Sequence, residues 1–187
     1  MNILWDFDGT IFDTYPAYTK IMMEIVGNGV SEQEIYMKLK VSFSHAIKHY
    51  QLDEEMVQLI RRKTSEIKPG EVSPFSGVEE ILKHAKKNVI MTHKEREEVL
   101  QILDFHHLSD YFVEIIAGDD GFPRKPDKTS YEFLHKKHGL HLAIGDRELD
   151  LIPAKQIGIA TCSFQNPVVE ADYHLSSYAD FFAVLKE

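Results

Sequence analysis

Two aspartates, Asp6 and Asp8, stand two positions apart at the end of a short apolar run in ILWDFDGTIFDT, and Gly9 and Thr10 follow at once. Like charges so close together are a poor way to end a buried strand, so the pair asks for a chemical reason. Three further segments carry residues of matching type: VIMT ends in Thr92, RKPDK places Lys125 before Pro126, and IGDRELD supplies Asp146 and Asp150. Gathered carboxylates repel one another unless a cation lies among them. Hard divalent ions with oxygen ligands, Mg²⁺ above all, suit two or three carboxylates, with water and a substrate phosphate completing the shell. A lysine, a hydroxyl and the backbone N–H groups of the Gly9-Thr10 turn suit the oxygens of a phosphoryl group. A remaining carboxylate can attack phosphorus and form an acyl phosphate while another moves the proton. Phosphoryl transfer uses every member of the set. Taken singly, Asp8-Gly9 also reads as turn chemistry, and Asp150 as an acid favoured in the first turn of a helix.

These residues meet only if the strands that end in them run parallel. Apolar runs predict strands at 2–7, 88–92, 113–117, 141–145 and 158–162, with a short one near 172–175. Between them, 3.6-residue patterns predict helices at 15–27, 77–87, 95–104, 128–138 and 148–156, with a last helix at the end of the chain. Strands alternating with helices imply parallel βαβ units, a doubly wound α/β sheet covered on both faces, and a site beyond the carboxyl ends of the strands. The stretch from Ser31 to Lys68 breaks the rhythm. It opens on a Ser31/Glu34 capping box, continues through FSHAIKHYQ and the long amphipathic LDEEMVQLIRRKTSEIK, and closes at Pro69-Gly70. Asn28-Gly29 reads as the stop of the helix before it. Residues 14–73 therefore read as an all-helical insert, flanked by a core of 1–13 and 74–187.

Composition narrows the classes. The 187 residues are 43% hydrophobic, ample for a packed core, and 30 Asp and Glu against 21 Lys and Arg give a formal charge of −9. That balance disfavours nucleic acid and anionic membrane as partners, so an anionic substrate must be held by local positive groups. No run approaches the ~20 apolar residues of a membrane span, and no leader-like segment opens the chain, so the expected location is cytoplasmic. The single cysteine, Cys162, excludes an intrachain disulfide and a cysteine zinc cluster. His45 and His49 sit four apart on a helix, but with no HExxH and no third ligand they read as solvated or packed residues.

Together, DFDGTIFDT (6–14), VIMTH (89–93), RKPDKTSYEF (124–133) and AIGDRELDLIPAKQIGIA (143–160) resemble the haloacid dehalogenase-superfamily hydrolases of the phosphatase kind, in the family's order. Phosphoglycolate phosphatases and β-phosphoglucomutases form the branch of that superfamily most like this chain. The resemblance implies a Rossmann-like core with an inserted helical cap at 14–73 that closes over the site. It also implies Mg²⁺ and hydrolysis of a small phosphomonoester through an aspartyl phosphate. By its pattern Asp6 is the nucleophile and Asp8 the acid and base. The metal is held by the Asp6 carboxylate, the Asp8 backbone carbonyl and Asp146, with Asp150 supporting the metal or Lys125. Thr92 and Lys125 bind the transferring phosphoryl group. His93 and Asp127 depart from the residues usual after Thr92 and after Lys125-Pro126. In the insert, Lys38, Lys40, His45 and Lys48 are the candidate contacts for a substrate anion. A phosphosugar mutase would keep the same core residues; a noncatalytic phosphate-binding module would lack Asp6 or Asp146; a dehalogenase would need neither Asp8 nor a metal.

Overall fold

The computed structural model describes residues 1–27 and 29–185. Six strands form one parallel sheet: β1 (Asn2–Trp5), β4 (Lys87–Met91), β5 (Phe112–Ile116), β6 (Leu142–Gly145), β7 (Ala160–Phe164) and β8 (Tyr173–Leu175). Their order across the sheet is β5-β4-β1-β6-β7-β8, every neighbour parallel. The chain leaves β1 for β4 and β5 on one side and later returns to lay β6, β7 and β8 on the other. The order therefore reverses around β1, which places Asp6 at the switch point where open α/β sheets bind their ligands.

Alternation along the strands explains why both faces are covered. In β1, Ile3 and Trp5 enter one apolar cluster with residues of α5 (Val78–His84), α6 (Arg96–Phe105) and α9 (Phe181–Val184), while Leu4 enters another with α7 (Thr129–His138) and α8 (Glu148–Gln156). The predicted parallel α/β core is thus the observed one.

Four helices, α1 (Tyr15–Val26), α2 (Glu32–Val41), α3 (Phe43–His49) and α4 (Glu54–Ser65), form a block with its own apolar cluster, including Tyr18, Met22, Ile35, Leu39, Ala46 and Ile60. Two short strands at its base, β2 (Phe12–Asp13) and β3 (Ser73–Pro74), pair antiparallel. Segments of two residues carry no periodic signal, so the tie between the chain's paths into and out of the block is not legible from hydrophobic pattern.

Several boundaries differ from expectation for local reasons. The Ser31 hydroxyl accepts the Glu34 N–H at 3.2 Å, but Glu34 turns its carboxylate to Tyr50 and His49 instead of completing the capping box. The helix expected to reach Lys68 ends at Ser65, where the Thr64 and Ser65 hydroxyls donate back to the Arg61 and Arg62 carbonyls. The strand expected at 158–162 starts at Ala160, because Gly158, at φ +77°, and Ile159 donate back to Lys155 and Ala154 and close α8. Of the expected helix stop Asn28-Gly29, Asn28 lies outside the described residues.

Candidate functional site

The carboxyl ends of β1 and β6 bring Asp6, Asp146 and Asp150 together. Oxygens of the three lie within 4.8 Å of one another, and all three side chains are buried. Asp6 follows β1 directly, its N–H donating to the Ile144 carbonyl at 2.9 Å, so Asp6 and Asp146 are registered by the sheet itself. Asp150 reaches the group from the first turn of α8. It accepts the Arg147 N–H there, so the helix-turn reading and the site reading are both met.

Lys125 lies between two of the acids. Its Nζ donates to Asp6 Oδ1 at 2.6 Å and to Asp150 Oδ1 at 2.8 Å, and these charges hold the ammonium well above the usual lysine range despite burial. The loop carrying it is fixed through His93, whose Nε2 accepts the Lys125 N–H at 2.8 Å. Burial, with the Lys125 charge adding to it, pushes His93 down to about 3, so the ring is neutral and free to accept. Burial raises Asp6 to about 7, with the Asp150 charge as the next cause, and outweighs the pull of Lys125 and Arg147. Burial acts on Asp150 in the same sense, but Arg147 and Lys125 overcome it and hold that carboxyl below the usual range. Asp146 is raised by burial.

Asp8 stands apart from the three acids. Its Oδ1 accepts from the Tyr18 hydroxyl at 2.7 Å and lies 3.6 Å from Lys94 Nζ, which donates to the same Tyr18 oxygen at 2.8 Å. Thr10 is adjacent to Asp6, its hydroxyl donating to Oδ2 at 3.3 Å. Thr92 is buried at the end of β4, the strand beside β1, and its hydroxyl accepts the Lys94 N–H. The backbone donors of the Gly9-Thr10 turn differ from expectation. The Gly9 N–H is taken by Phe12 O at 2.8 Å and the Thr10 N–H by Phe7 O at 3.4 Å, because the turn folds back on itself. Gly9 is instead needed for its shape. At φ +78° a Cβ would lie 2.2 Å from Tyr15 Cε2 and 2.8 Å from Asp146 Oδ2.

Several partners were not foreseen. Arg147 reaches all three acids, at 3.1 Å from Asp150, 3.6 Å from Asp6 and 3.7 Å from Asp146; it stood inside the IGDRELD motif without a role. Tyr15 donates to Asp146 Oδ2 at 2.9 Å, and Lys40 Nζ donates to the same oxygen at 2.6 Å. Tyr15 and Tyr18 are three apart on α1, a spacing that shares one helix face and was a usable signal. Of the four candidate contacts in the block, Lys40 alone is buried; Lys38 is half-buried, and His45 and Lys48 are exposed.

The donor set suits a hard divalent cation. Asp146 Oδ1 is buried and has no hydrogen-bond partner, while the other acids offer oxygens within reach of it.

Known proteins resemble this chain in sequence and in fold. A phosphoglycolate phosphatase of Vibrio vulnificus (strain CMCP6) is 24% identical over 213 aligned positions, covering 97% of this chain and 90% of the relative. A hydrolase from Streptococcus pneumoniae TIGR4 has a solved structure that is 26% identical, with a TM-score of 0.66 over 89% of this chain and 94% of its own. The solved structure of a subfamily IA, variant 1 hydrolase from Geobacter sulfurreducens PCA shares the fold, with a TM-score of 0.72 over 97% and 94% of the two chains at 18% identity. The model of the haloacid dehalogenase-like hydrolases matches residues 3–164, from the first strand of the sheet to the end of β7, and the chain belongs to that family.

Proposed function

We propose that the chain is a Mg²⁺-dependent phosphatase of small phosphomonoesters, with Asp6 as the nucleophile. The observation that carries this reading is Lys125 bridging Asp6 and Asp150 beside an Asp146 oxygen that is buried without a hydrogen bond. Asp6, Asp146 and the Asp8 carbonyl would hold the metal, with Asp150 anchoring Lys125. When bound, the ion supplies positive charge that offsets the crowding of the acids and of the phosphoryl oxygens. Asp6 attacks phosphorus, the bond to the leaving oxygen breaks, and Asp8 gives that oxygen its proton. Water then attacks the aspartyl phosphate, with Asp8 taking the proton back and free phosphate leaving. Tyr18 and Lys94 orient Asp8 through Oδ1, which assigns proton transfer to Oδ2. Lys125, and Thr92 at the end of the neighbouring strand, serve the phosphoryl oxygens.

In this reading, residues 14–73 are a cap over a 1–13 and 74–187 core, and the setting is cytoplasmic. Among the described residues no helix is long and apolar enough to cross a membrane. Between block and core lies a cavity of about 20 Å³, lined by Thr14, Tyr18, Lys94, Glu98 and Ile102 among others, room for about one water. None of the three clustered acids lines that cavity, but Asp6 and Asp146 are buried, so substrate reaches them by parting the block from the core, and closure over them favours a small ester. Phosphoglycolate, the substrate that the Vibrio relative's name gives for that protein, is the first compound to assay. The test is Mg²⁺-dependent hydrolysis of an aryl phosphate and then of a panel of small phosphomonoesters. Asp6→Asn should abolish turnover in a folded chain, and near-normal activity in that variant would overturn the covalent mechanism.

A further inference from the structure

Lys40 is the cation that the helical block sends into the carboxylate cluster. Its place follows from α2, whose Ile35 and Leu39 are buried in the block's apolar cluster, so that the next residue in the last turn points past them toward the core. The stem passes over the Tyr15 ring, with Nζ 4.8 Å from the ring centre, and ends 2.6 Å from Asp146 Oδ2. Burying an ammonium is costly unless it is paired, and here one metal-site oxygen provides the pairing.

The charges of the site make this pairing consequential. Asp6, Asp8, Asp146 and Asp150 face Lys40, Lys94, Lys125 and Arg147; Glu98 also pairs with Lys94 at 3.3 Å, and Asp13 lies within the influence of Lys40. A divalent ion arriving alone at Asp146 would bring its two positive charges up to the buried Lys40 ammonium, which holds an oxygen of the same carboxylate. A phosphoryl dianion arriving with the metal offsets that repulsion and offers Lys40 another oxygen. Lysine, a compact charge on a flexible four-carbon stem, is suited to changing partners, whereas Arg147 is held by several hydrogen bonds to Asp150.

We propose that Lys40 is a tethered cation that holds Asp146 before the metal binds, opposes binding of the metal on its own, and passes to a phosphoryl oxygen when metal and anion are both present. The inference rests on the phosphatase reading of the site. It makes metal and phosphoryl binding mutually reinforcing, and assigns part of that coupling to one residue of the helical block.

The test is calorimetric titration of the full chain with Mg²⁺ alone, with inorganic phosphate alone, and with Mg²⁺ at saturating phosphate. In the wild type, phosphate should tighten Mg²⁺ binding by roughly tenfold or more. Lys40→Met keeps the apolar stem and removes the charge. It should tighten Mg²⁺ alone by roughly tenfold, weaken phosphate, and shrink the coupling to less than about threefold. Opposite signs for the two ligands are the signature, since a merely damaged site would lose both. Unchanged Mg²⁺ affinity, or weakening of both ligands, overturns the inference while leaving the phosphatase reading in place. A wild-type chain that binds neither ligand overturns both. If Lys40→Met does not fold, hydrogen exchange of the wild type carries the test: Mg²⁺ alone should speed exchange at 32–41, and Mg²⁺ with phosphate should slow it. Slowing by Mg²⁺ alone overturns the inference.

Discussion

Replacing Asp6 by Asn should make the metal-free protein more stable at pH 8 than the wild type, by an amount that grows with pH. Asp6 is raised from 3.8 to about 7, chiefly by burial, so the folded chain keeps a proton there that the unfolded chain has released. The sign follows from the linkage relation: where the folded state binds more protons, stability falls as pH rises. Asp6 therefore favours folding fully only below about pH 4, and that contribution is lost as pH rises through about 7. The whole loss is about 4 kcal/mol at 1.36 kcal/mol per pH unit, of which about 3 kcal/mol falls between pH 5 and pH 8. Asn carries no titrating charge and can still accept from Lys125. Its advantage over the wild type should thus widen by about 3 kcal/mol across that range, or roughly 6 to 12 °C in Tm for a chain of this size. Asp146 is raised as well, so the difference between the two proteins, rather than the wild-type slope, isolates Asp6. The assay is thermal unfolding in chelator at several pH values from 5 to 8, followed by denaturant titration at the extremes. A gap that stays flat or narrows with pH would refute the claim that burial dominates at Asp6. Adding Mg²⁺ should reduce the gap at pH 8, because a bound cation favours the ionised carboxylate that only the wild type has.

Three further outcomes follow from the same geometry. Asp8→Asn should slow alkyl phosphates more than aryl phosphates, because only poor leaving groups need the proton; equal losses measured on matched esters would make Asp8 structural. Asp146→Ala should raise the Mg²⁺ concentration for half-maximal activity by roughly tenfold or more, since few ligands remain to hold a strongly hydrated ion; an unchanged requirement would point to Asp150. Gly9→Ala should cost about 2 to 4 kcal/mol in denaturant titration, because the new Cβ meets Tyr15 at 2.2 Å in a left-handed backbone conformation. A cost below about 0.5 kcal/mol would show that the turn can shift freely.

What the sequence made legible was set by the sheet. Asp6, Asp146, Asp150 and Lys125 could be grouped because parallel strands send their carboxyl ends to one edge, and a repeating pattern identifies such strands without knowledge of tertiary contacts. The same rule could not reach Tyr15, Tyr18, Lys40 or Lys94. A 3.6-residue pattern tells which face of a helix is buried but not what lies against it, and a lysine at the end of such a face reads equally well as a solvated residue. The Gly9-Thr10 donors failed for the opposite reason. Composition shows that a turn has N–H groups, but not that Phe7 and Phe12 already accept them.

This division also bears on how the two parts of the molecule are joined. The core clusters and the block cluster are separately apolar, and Ile67 packs against both the block's cluster and the core's larger one. Much else between the parts is polar: Tyr15 and Lys40 on Asp146, Tyr18 on Asp8, and Lys94 on Tyr18. Each of these bonds has a charged partner and contributes about 1.5 to 3 kcal/mol net, because water replaces part of it when the surfaces part. The β2–β3 ribbon ties together the chain's two paths between block and core. Every one of those bonds ends on, or next to, an acid of the site. Ligands that compete for Asp8 and Asp146 accordingly act on the contacts that hold the block down, so occupancy of the site and position of the block are set by the same few atoms.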